Sequence, residues 1–435
     1  MTREEYDKIY NKKFVDLAPE DEEKLNAIFK KIEFSQEDKR ILNAFYIPNN
    51  REEFKSPEKL SPSQMKAELR NIFVLLKYNY CGYDYFNKNG ELDRIHEKLK
   101  TIVDSYDNAI DTIDYFKTIM DELHAIIKDN HFSISCNDNR FGLSISKAPF
   151  FTDLIVEKQN DNYFVINNNN FFVKDYVIKE DITKYLFKTL PNNGNECYLV
   201  GLFQSTKDPI TSIKIDNVNL PLHISKSADV VLKQKNKFDE YESYNMVTLT
   251  MCNINDEFPY KRYREWGELL KEKKATVISV VGNPGGSSVV GSEVIGGLNS
   301  NGIWDVSCSS LNIFQKTGLP IKYYTYETQE SSGSNNTYDK KLYVLMNKYT
   351  ASAGESLVST SNNVKNVIKI GTNTMGCGFF GEVVSYILPQ SHATIRIACK
   401  TFFMNGFEEG TGFTPDYWMD DSNMIETFKE WMNKQ

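Results

Sequence analysis

Histidine is scarce in this chain. Five residues out of 435, His96, His124, His131, His223 and His392, are all the imidazoles available. Cysteine is thin as well. The seven cysteines are scattered, odd in number and never in C-x-x-C spacing, which indicates neither a disulfide framework nor a zinc ribbon. The helical zinc pattern H-E-x-x-H is missing too, so no metal and no other cofactor is expected. There is no basic run: 51 basic against 59 acidic residues leave a formal charge of −8. That balance offers no electrostatic footprint for nucleic acid or for an anionic membrane. No membrane span is expected either, because the apolar run Ala275 to Val281 falls far short of the ~20 residues a helical crossing needs. The first ten residues, MTREEYDKIY, are charged and carry no apolar signal-peptide core. As it stands the sequence reads as cytoplasmic; a leader removed beforehand would make the protein secreted or cell-surface.

A chain of this length predicts about three folding units at roughly 150 residues each. Residues 1–140 read as helical. Ser61-Pro62-Ser63-Gln64 is a capping box with proline at the first helical position. Met65, Leu69, Ile72, Phe73 and Leu76 follow it at helical spacing, and Phe116, Ile119, Met120, Leu123, Ile126 and Ile127 make a second such stripe. Residues 141–245 read as β-rich, in short alternating runs broken by asparagine, glycine and proline. From 246 to 435, buried-type strands at Thr276 to Val281, Leu342 to Met346 and Val367 to Ile370 alternate with helical stretches. That alternation predicts a layered α/β core with a largely parallel sheet.

Four stretches could carry chemistry. In LYVLMNKYTASAGESL a strand gives way to a helix near Ala353, so Ser352 stands beside free helix N–H groups that favour negative charge. An ordinary serine N-cap is the competing reading. In VISVVGNPGGSSVV a strand leads into a glycine-rich turn, where Gly285 or Gly286 could bring a backbone N–H close to a ligand, or could simply make a tight turn. In Asp129-Asn130-His131-Phe132-Ser133-Ile134 a helix is expected to end at Asp129 or Asn130 and a strand to begin at His131, on the face opposite Phe132 and Ile134. Near the C-terminus, Glu408, Glu409 and Asp416 lie in a glycine-rich loop that could orient a histidine or be merely a solvated acidic loop. Two near-matches fail. Gly376-Cys377-Gly378-Phe379-Phe380-Gly381 spells G-x-G-x-x-G, but a strand-like run follows where a dinucleotide site needs a helix. Thr350 stands where the elbow motif G-x-S-x-G needs glycine.

Taken in order, Asp129-Asn130-His131, Gly282-Asn283-Pro284-Gly285-Gly286, Thr350-Ala351-Ser352-Ala353-Gly354-Glu355, and Glu409 with Gly412-Phe413-Thr414-Pro415-Asp416 resemble the S41 peptidases. This is the family of C-terminal processing and tricorn-core proteases. The resemblance implies a crotonase/ClpP-like layered α/β core, a helical front that contributes His131, and a β-rich insert at 141–245 in the place of the family's PDZ domain. It implies a serine endopeptidase acting on polypeptide or peptide substrates through a Ser352 acyl-enzyme. Gly285 or Gly286 and Ala353 would supply the oxyanion N–H groups. Processing members activate the serine with a lysine 25 residues after it; Cys377 stands at that position here. The tricorn-like alternative uses a histidine oriented by a glutamate, which maps onto His131 and Glu409, with Glu408 one residue away. The Asp-x-Arg usual before the glycine turn is replaced by Ser279, Val280 and Val281. Together with Cys377, that replacement keeps a non-catalytic ligand- or peptide-binding protein on the same scaffold as the alternative.

Overall fold

The computed structural model describes residues 35–45, 55–143, 147–167, 169–229, 235–299, 307–312, 323–327, 338–404 and 406–434. The capping box expected at Ser61 forms: Ser61 N–H donates to Gln64 Oε1 at 3.0 Å and Gln64 N–H to Ser61 Oγ at 3.4 Å. It opens the long helix Pro62–Asn79, and all five residues of its apolar stripe are buried. In chain order the helices are α1 (Gln36–Asn43), α2 (Pro62–Asn79), α3 (Tyr83–Phe86), α4 (Glu91–Asp104), α5 (Thr112–Ile126), α6 (Tyr260–Leu270), α7 (Val289–Asn299), α8 (Ala353–Ser361) and α9 (Met424–Met432). Of the polar loop expected at 326–339, residues 328–337 lie outside the described set.

The chain groups into two compact units. One is drawn from Met1–Ser144, Val306–Gln329 and Phe379–Asn405, the other from Ile145–Asp305, Glu330–Gly378 and Gly406–Gln435. In the first unit, α2, α4 and α5 accompany a six-stranded sheet. Its order is Tyr323–Glu327, Ser307–Asn312, Thr394–Phe403, Ser133–Cys136 and Asn139–Gly142, with Phe380–Ile387 also paired to Thr394–Phe403. Helix α5 stops at Ile126, earlier than expected, and the strand begins at Ser133, later than expected. A turn takes up the difference. Asp129 Oδ1 accepts the His131 N–H at 2.7 Å and the Asp129 carbonyl accepts Phe132 N–H at 3.2 Å. An aspartate side chain that captures the amide two residues on ends a helix and sets a turn.

In the second unit, Tyr244–Thr248, Ala275–Ser279, Lys341–Met346 and Val367–Gly371 pair in parallel, each with the next. One face of these strands puts Tyr244, Met246, Val277, Tyr343, Leu345 and Ile370 against Met424, Phe428 and Met432 of α9. From the opposite face Asn245 Nδ2 donates to Leu269 O of α6 at 2.8 Å. Helices therefore cover both faces, as a buried parallel sheet requires. The sheet continues past Val367–Gly371 through Tyr417–Trp418 to Leu186–Asn192, Asn195–Ser205 and Lys147–Gln159. Strands from either side of residue 245 thus share one sheet, joined by Trp418 opposite Thr189 and by Thr189 Oγ1 donating to Trp418 O at 2.6 Å.

Helix α7 runs out of the glycine-rich turn and is held between two other helices by missing side chains. A Cβ on Gly297 would fall 2.1 Å from Arg264 O of α6, and one on Gly267 of α6 would fall 2.1 Å from Val294 O. A Cβ on Gly291 would fall 2.9 Å from Leu357 Cβ of α8. The turn before α7 and the serine before α8 are therefore positioned by backbones in close approach. Gly297→Val should force α6 and α7 apart and cost about 1–3 kcal/mol. Chemical denaturation of the variant, with α9 contacts untouched, measures that loss; an unchanged midpoint would contradict it.

Candidate active site

Strand Lys341–Met346 leaves the sheet at Asn347, which is fully buried. Asn347 Oδ1 accepts Gly282 N–H at 2.9 Å and Tyr349 N–H at 3.2 Å. Thr350 Oγ1 accepts Asn347 N–H at 3.1 Å and donates to Val280 O at 2.7 Å. Ala351 N–H then donates to Asn283 O at 2.8 Å. Two neighbouring strand ends are thereby tied into one rigid rim, and Ser352 stands on it at the entry to α8.

Ser352 is the N-cap of α8, yet its backbone differs from that of an ordinary capping serine. Such a serine is extended, as Ser61 is at φ −69°, ψ 159°. Ser352 sits at φ 51°, ψ −116°. A side chain is rarely carried there, and such a conformation costs of order 1–3 kcal/mol. Gly285, at φ 107°, lies directly against it: a Cβ on Gly285 would be 2.8 Å from Ser352 Cβ and 3.1 Å from Ala353 N. The two glycines of the turn do different things. Gly285 N–H donates to Asn283 Oδ1 at 2.8 Å. Cys252 N–H donates to Gly285 O at 2.9 Å and Ser287 N–H to Cys252 O at 2.7 Å. In that parallel bridge the Gly286 amide faces away from Cys252. The Gly285 N–H is committed to a side chain, and the Gly286 N–H is not used by the bridge.

Behind the serine lies a residue whose part the sequence did not reveal. Glu355 is fully buried. Its Oε2 accepts Ser352 N–H at 2.9 Å and Cys377 N–H at 3.0 Å. Its Oε1 accepts Thr374 Oγ1–H at 2.6 Å and Gly376 N–H at 2.7 Å. Burial pushes its carboxyl up to about 7, against the pull of these four donors. The turn at 374–377 in turn holds the acidic loop. Gly410 N–H donates to Gly376 O at 2.7 Å, Phe413 N–H to Thr374 Oγ1 at 2.8 Å, and Asn373 Nδ2 to Thr411 O at 2.8 Å. In that loop Glu408 is exposed, while Glu409 has a carboxylate oxygen shielded from solvent. Asp416 instead accepts Lys369 N–H at 2.7 Å, in the middle of strand Val367–Gly371. Cys377 is buried.

His131 belongs to the other unit. Its side chain is 12% exposed, and Nδ1 is 3.9 Å from Asp129 Oδ1. Asp129 is itself buried, accepts Tyr80 Oη–H at 2.9 Å, and is pushed up to about 6 by burial. Burial pushes the imidazole down to about 4; the charges of Arg396 and Arg140 add to this, and the backbone of Phe380 opposes it. At neutral pH His131 is therefore an uncharged imidazole.

Residues 246–419, which carry Ser352, Glu355, both turn glycines and the acidic loop, match Peptidase family S41. Curated protein sequences gave no match. Solved structures are similar across most of the chain at low identity. Mature CPAF complexed with lactacystin is 12% identical over 86% of this chain and 97% of that one, with a TM-score of 0.47. The photosystem II D1 C-terminal processing protease is 14% identical over 82% and 93%, at 0.38. The tricorn protease is 13% identical over 86% and 37%, at 0.40. At such low identity none of their chemistry carries over to this chain.

Within the matched segment, the structure brings Ser352, Ala353, Gly285 and Gly286 together and ties them through Glu355 to the turn at Cys377 and the loop of Glu408 and Glu409. Among the described residues no group of three or more His, Cys, Asp or Glu is placed to hold a metal ion, and no helix is long and apolar enough to cross a membrane. Besides its place in the serine motif, the serine-to-glutamate spacing of a capping box, Ser352-x-x-Glu355, is a local signal that points to Glu355. Glu355→Gln replaces an acceptor oxygen with an amide donor facing N–H groups, and should lower stability by about 1–3 kcal/mol. The cost should also depend on pH. A carboxyl at about 7 in the folded protein and near 4.5 unfolded binds its proton more tightly when folded. The wild type therefore loses stability as pH rises from 4.5 to 7, a slope the glutamine variant lacks. Denaturation midpoints of both proteins across that range test this; parallel curves would contradict it.

Proposed function

We propose that this protein is a serine endopeptidase whose nucleophile is Ser352. The observation that carries the reading is the Ser352 backbone, strained at a strand-to-helix turn and pressed against Gly285 within the segment that matches family S41. In this reading the Ser352 hydroxyl attacks a peptide carbonyl while His131 takes its proton. The tetrahedral oxyanion is held by the N–H groups of Gly286 and Ala353, since Gly285 spends its own on Asn283. Collapse expels the amine, which receives the proton from His131, and leaves the acyl group on Ser352. Water, deprotonated by the same imidazole, then releases the peptide. An uncharged His131 is the protonation state this requires at neutral pH.

Glu409, with its shielded oxygen, orients the imidazole in this scheme, in preference to the exposed Glu408. Cys377 is a structural neighbour of Glu355, and a Ser–Lys mechanism has no lysine at that position. The crotonase/ClpP-like layering, the helical front at 1–140 as the source of His131, and the standing of 141–245 as an insert on a core at 246–435 belong to the same proposal. Its substrates are peptides or polypeptides.

A fluorophosphonate probe tests the nucleophile without knowledge of the substrate. The wild type should label covalently, Ser352→Ala should not, and His131→Ala should label at least about 100-fold more slowly, the scale of general-base catalysis. Cys377→Ser should label at the wild-type rate. A folded wild type that stays unlabelled would sink the peptidase reading in favour of a binding protein on this scaffold.

A further inference from the structure

Around His131 the first unit holds a group of side chains that the scheme above leaves unused. Strand pairing sets Arg396 opposite Ser133 and Arg140 opposite Ser135, with Gly142 also opposite Ser133. Side chains directly opposite one another share a sheet face. Ser133, Ser135, Arg140, Gly142 and Arg396 therefore line one face, reached two residues after His131. The buried Ile134 and Ile395 and the half-buried Phe141 take the other.

Three details give this face the form of a site. Ser133 is fully buried, yet its hydroxyl has no hydrogen-bond partner among the described residues. An unmade bond to a buried hydroxyl is costly, and natural proteins seldom leave one without a reason. Gly142 leaves a gap beside it. A Cβ there would lie 3.3 Å from Ser133 Cβ and 3.8 Å from Arg140 Nε, so both residues border the space the missing side chain leaves. The positive charges of Arg396 and Arg140 both disfavour a proton on His131. Arg140 is exposed and Arg396 half-buried, which leaves the face open at the Arg140 end.

We infer that Arg140, Arg396 and the Ser133 hydroxyl form a carboxylate-binding subsite beside His131. Resting on the peptidase reading, the carboxylate belongs to the peptide substrate, as an acidic side chain or as its free C-terminus. Planar guanidinium forks match a carboxylate's two oxygens, and a hydroxyl supplies the further donor. The other groups facing the imidazole are Asp129, held by Tyr80, and the Phe380 backbone. A bound carboxylate would add negative charge to this set and offset the two arginines, so the substrate would raise the basicity of the imidazole that acts on it.

The test uses the full chain carrying Ser352→Ala, so that nothing is cleaved, with carbon-13 in its histidine rings and the His131 signal assigned by His131→Asn. Three probes are titrated: N-acetyl-glutamate N-methylamide, N-acetyl-alanine with its free carboxylate, and N-acetyl-glutamine N-methylamide. At least one of the two carboxylates should shift the His131 signal saturably and raise its titration midpoint by about 1–3 pH units. The neutral probe should do neither. Whichever carboxylate acts names the source. Arg140→Gln, at an exposed position, should abolish the response, as should Gly142→Val, which fills the gap without changing charge. A glutamine probe that acts as strongly as glutamate would overturn the proposal, as would no response to either carboxylate, or a response that survives both variants. Fluorophosphonate labelling of the wild type needs no carboxylate, so it stands or falls separately from this subsite.

Discussion

A buried carboxyl with no ion-pair partner among the described residues holds the candidate site together. Glu355 lies among turns that have no regular structure of their own, and its two oxygens fasten the serine turn to the turn at 374–377. That second turn carries the acidic loop through Gly376 and Thr374. Burying a charge this deeply is tolerable only where several donors converge on it. The convergence is what makes the loops rigid, because any rearrangement strands a buried charge or buried N–H groups. Desolvation still leaves a mark, as the raised carboxyl shows. The same residue is thus the site's strongest fastening and its most pH-sensitive one.

Rigidity of this kind explains how Ser352 can hold a backbone conformation that few side chains adopt. Strain persists only where the surroundings over-determine it. Here Asn347 and Thr350 clamp the segment before the serine, Glu355 grips its N–H, and Gly285 closes on it from the facing turn. The glycines along α7 continue the same logic. By bringing α6 and α8 into near-backbone contact, they fix the helix that leaves the Gly285 turn against the helix that leaves Ser352.

Local features of the sequence were legible and pairings at long range were not. The Ser61 box and the stripe from Met65 to Leu76 depend on neighbours within one helix, and they came out as read. The parallel strands at 275–279, 341–346 and 367–371 announced themselves by apolar runs of strand length. Nothing local could show that Thr189 meets Trp418 and carries the sheet through residue 245, because that contact joins segments 229 residues apart. The site divides in the same way. The serine and the glycines sit at readable strand-to-helix junctions. That Asn283 uses up the Gly285 N–H, or that three of the four donors to Glu355 come from a turn about 20 residues later, is a tertiary fact. So is the environment of His131, where Arg396 arrives from a strand more than 260 residues downstream.

That environment poses the sharpest chemical question about the proposed mechanism. An imidazole held down to about 4 is always available as a neutral base, yet it binds a proton weakly, and efficient general bases sit closer to the working pH. Neutral surroundings alone would leave His131 a poor partner for a serine hydroxyl. Negative charge brought to it corrects this in the right direction, since an opposite charge nearby stabilises the imidazolium that forms as the serine gives up its proton. A glutamate in the proposed orienting role supplies such a charge permanently, and a carboxylate seated between Arg140 and Arg396 supplies it only when substrate is present. In a chain that carries Cys377 where a lysine could have served, basicity must be assembled from neighbouring charges. In the proposed mechanism, a carboxylate drawn to these arginines would add that charge at the step that needs it.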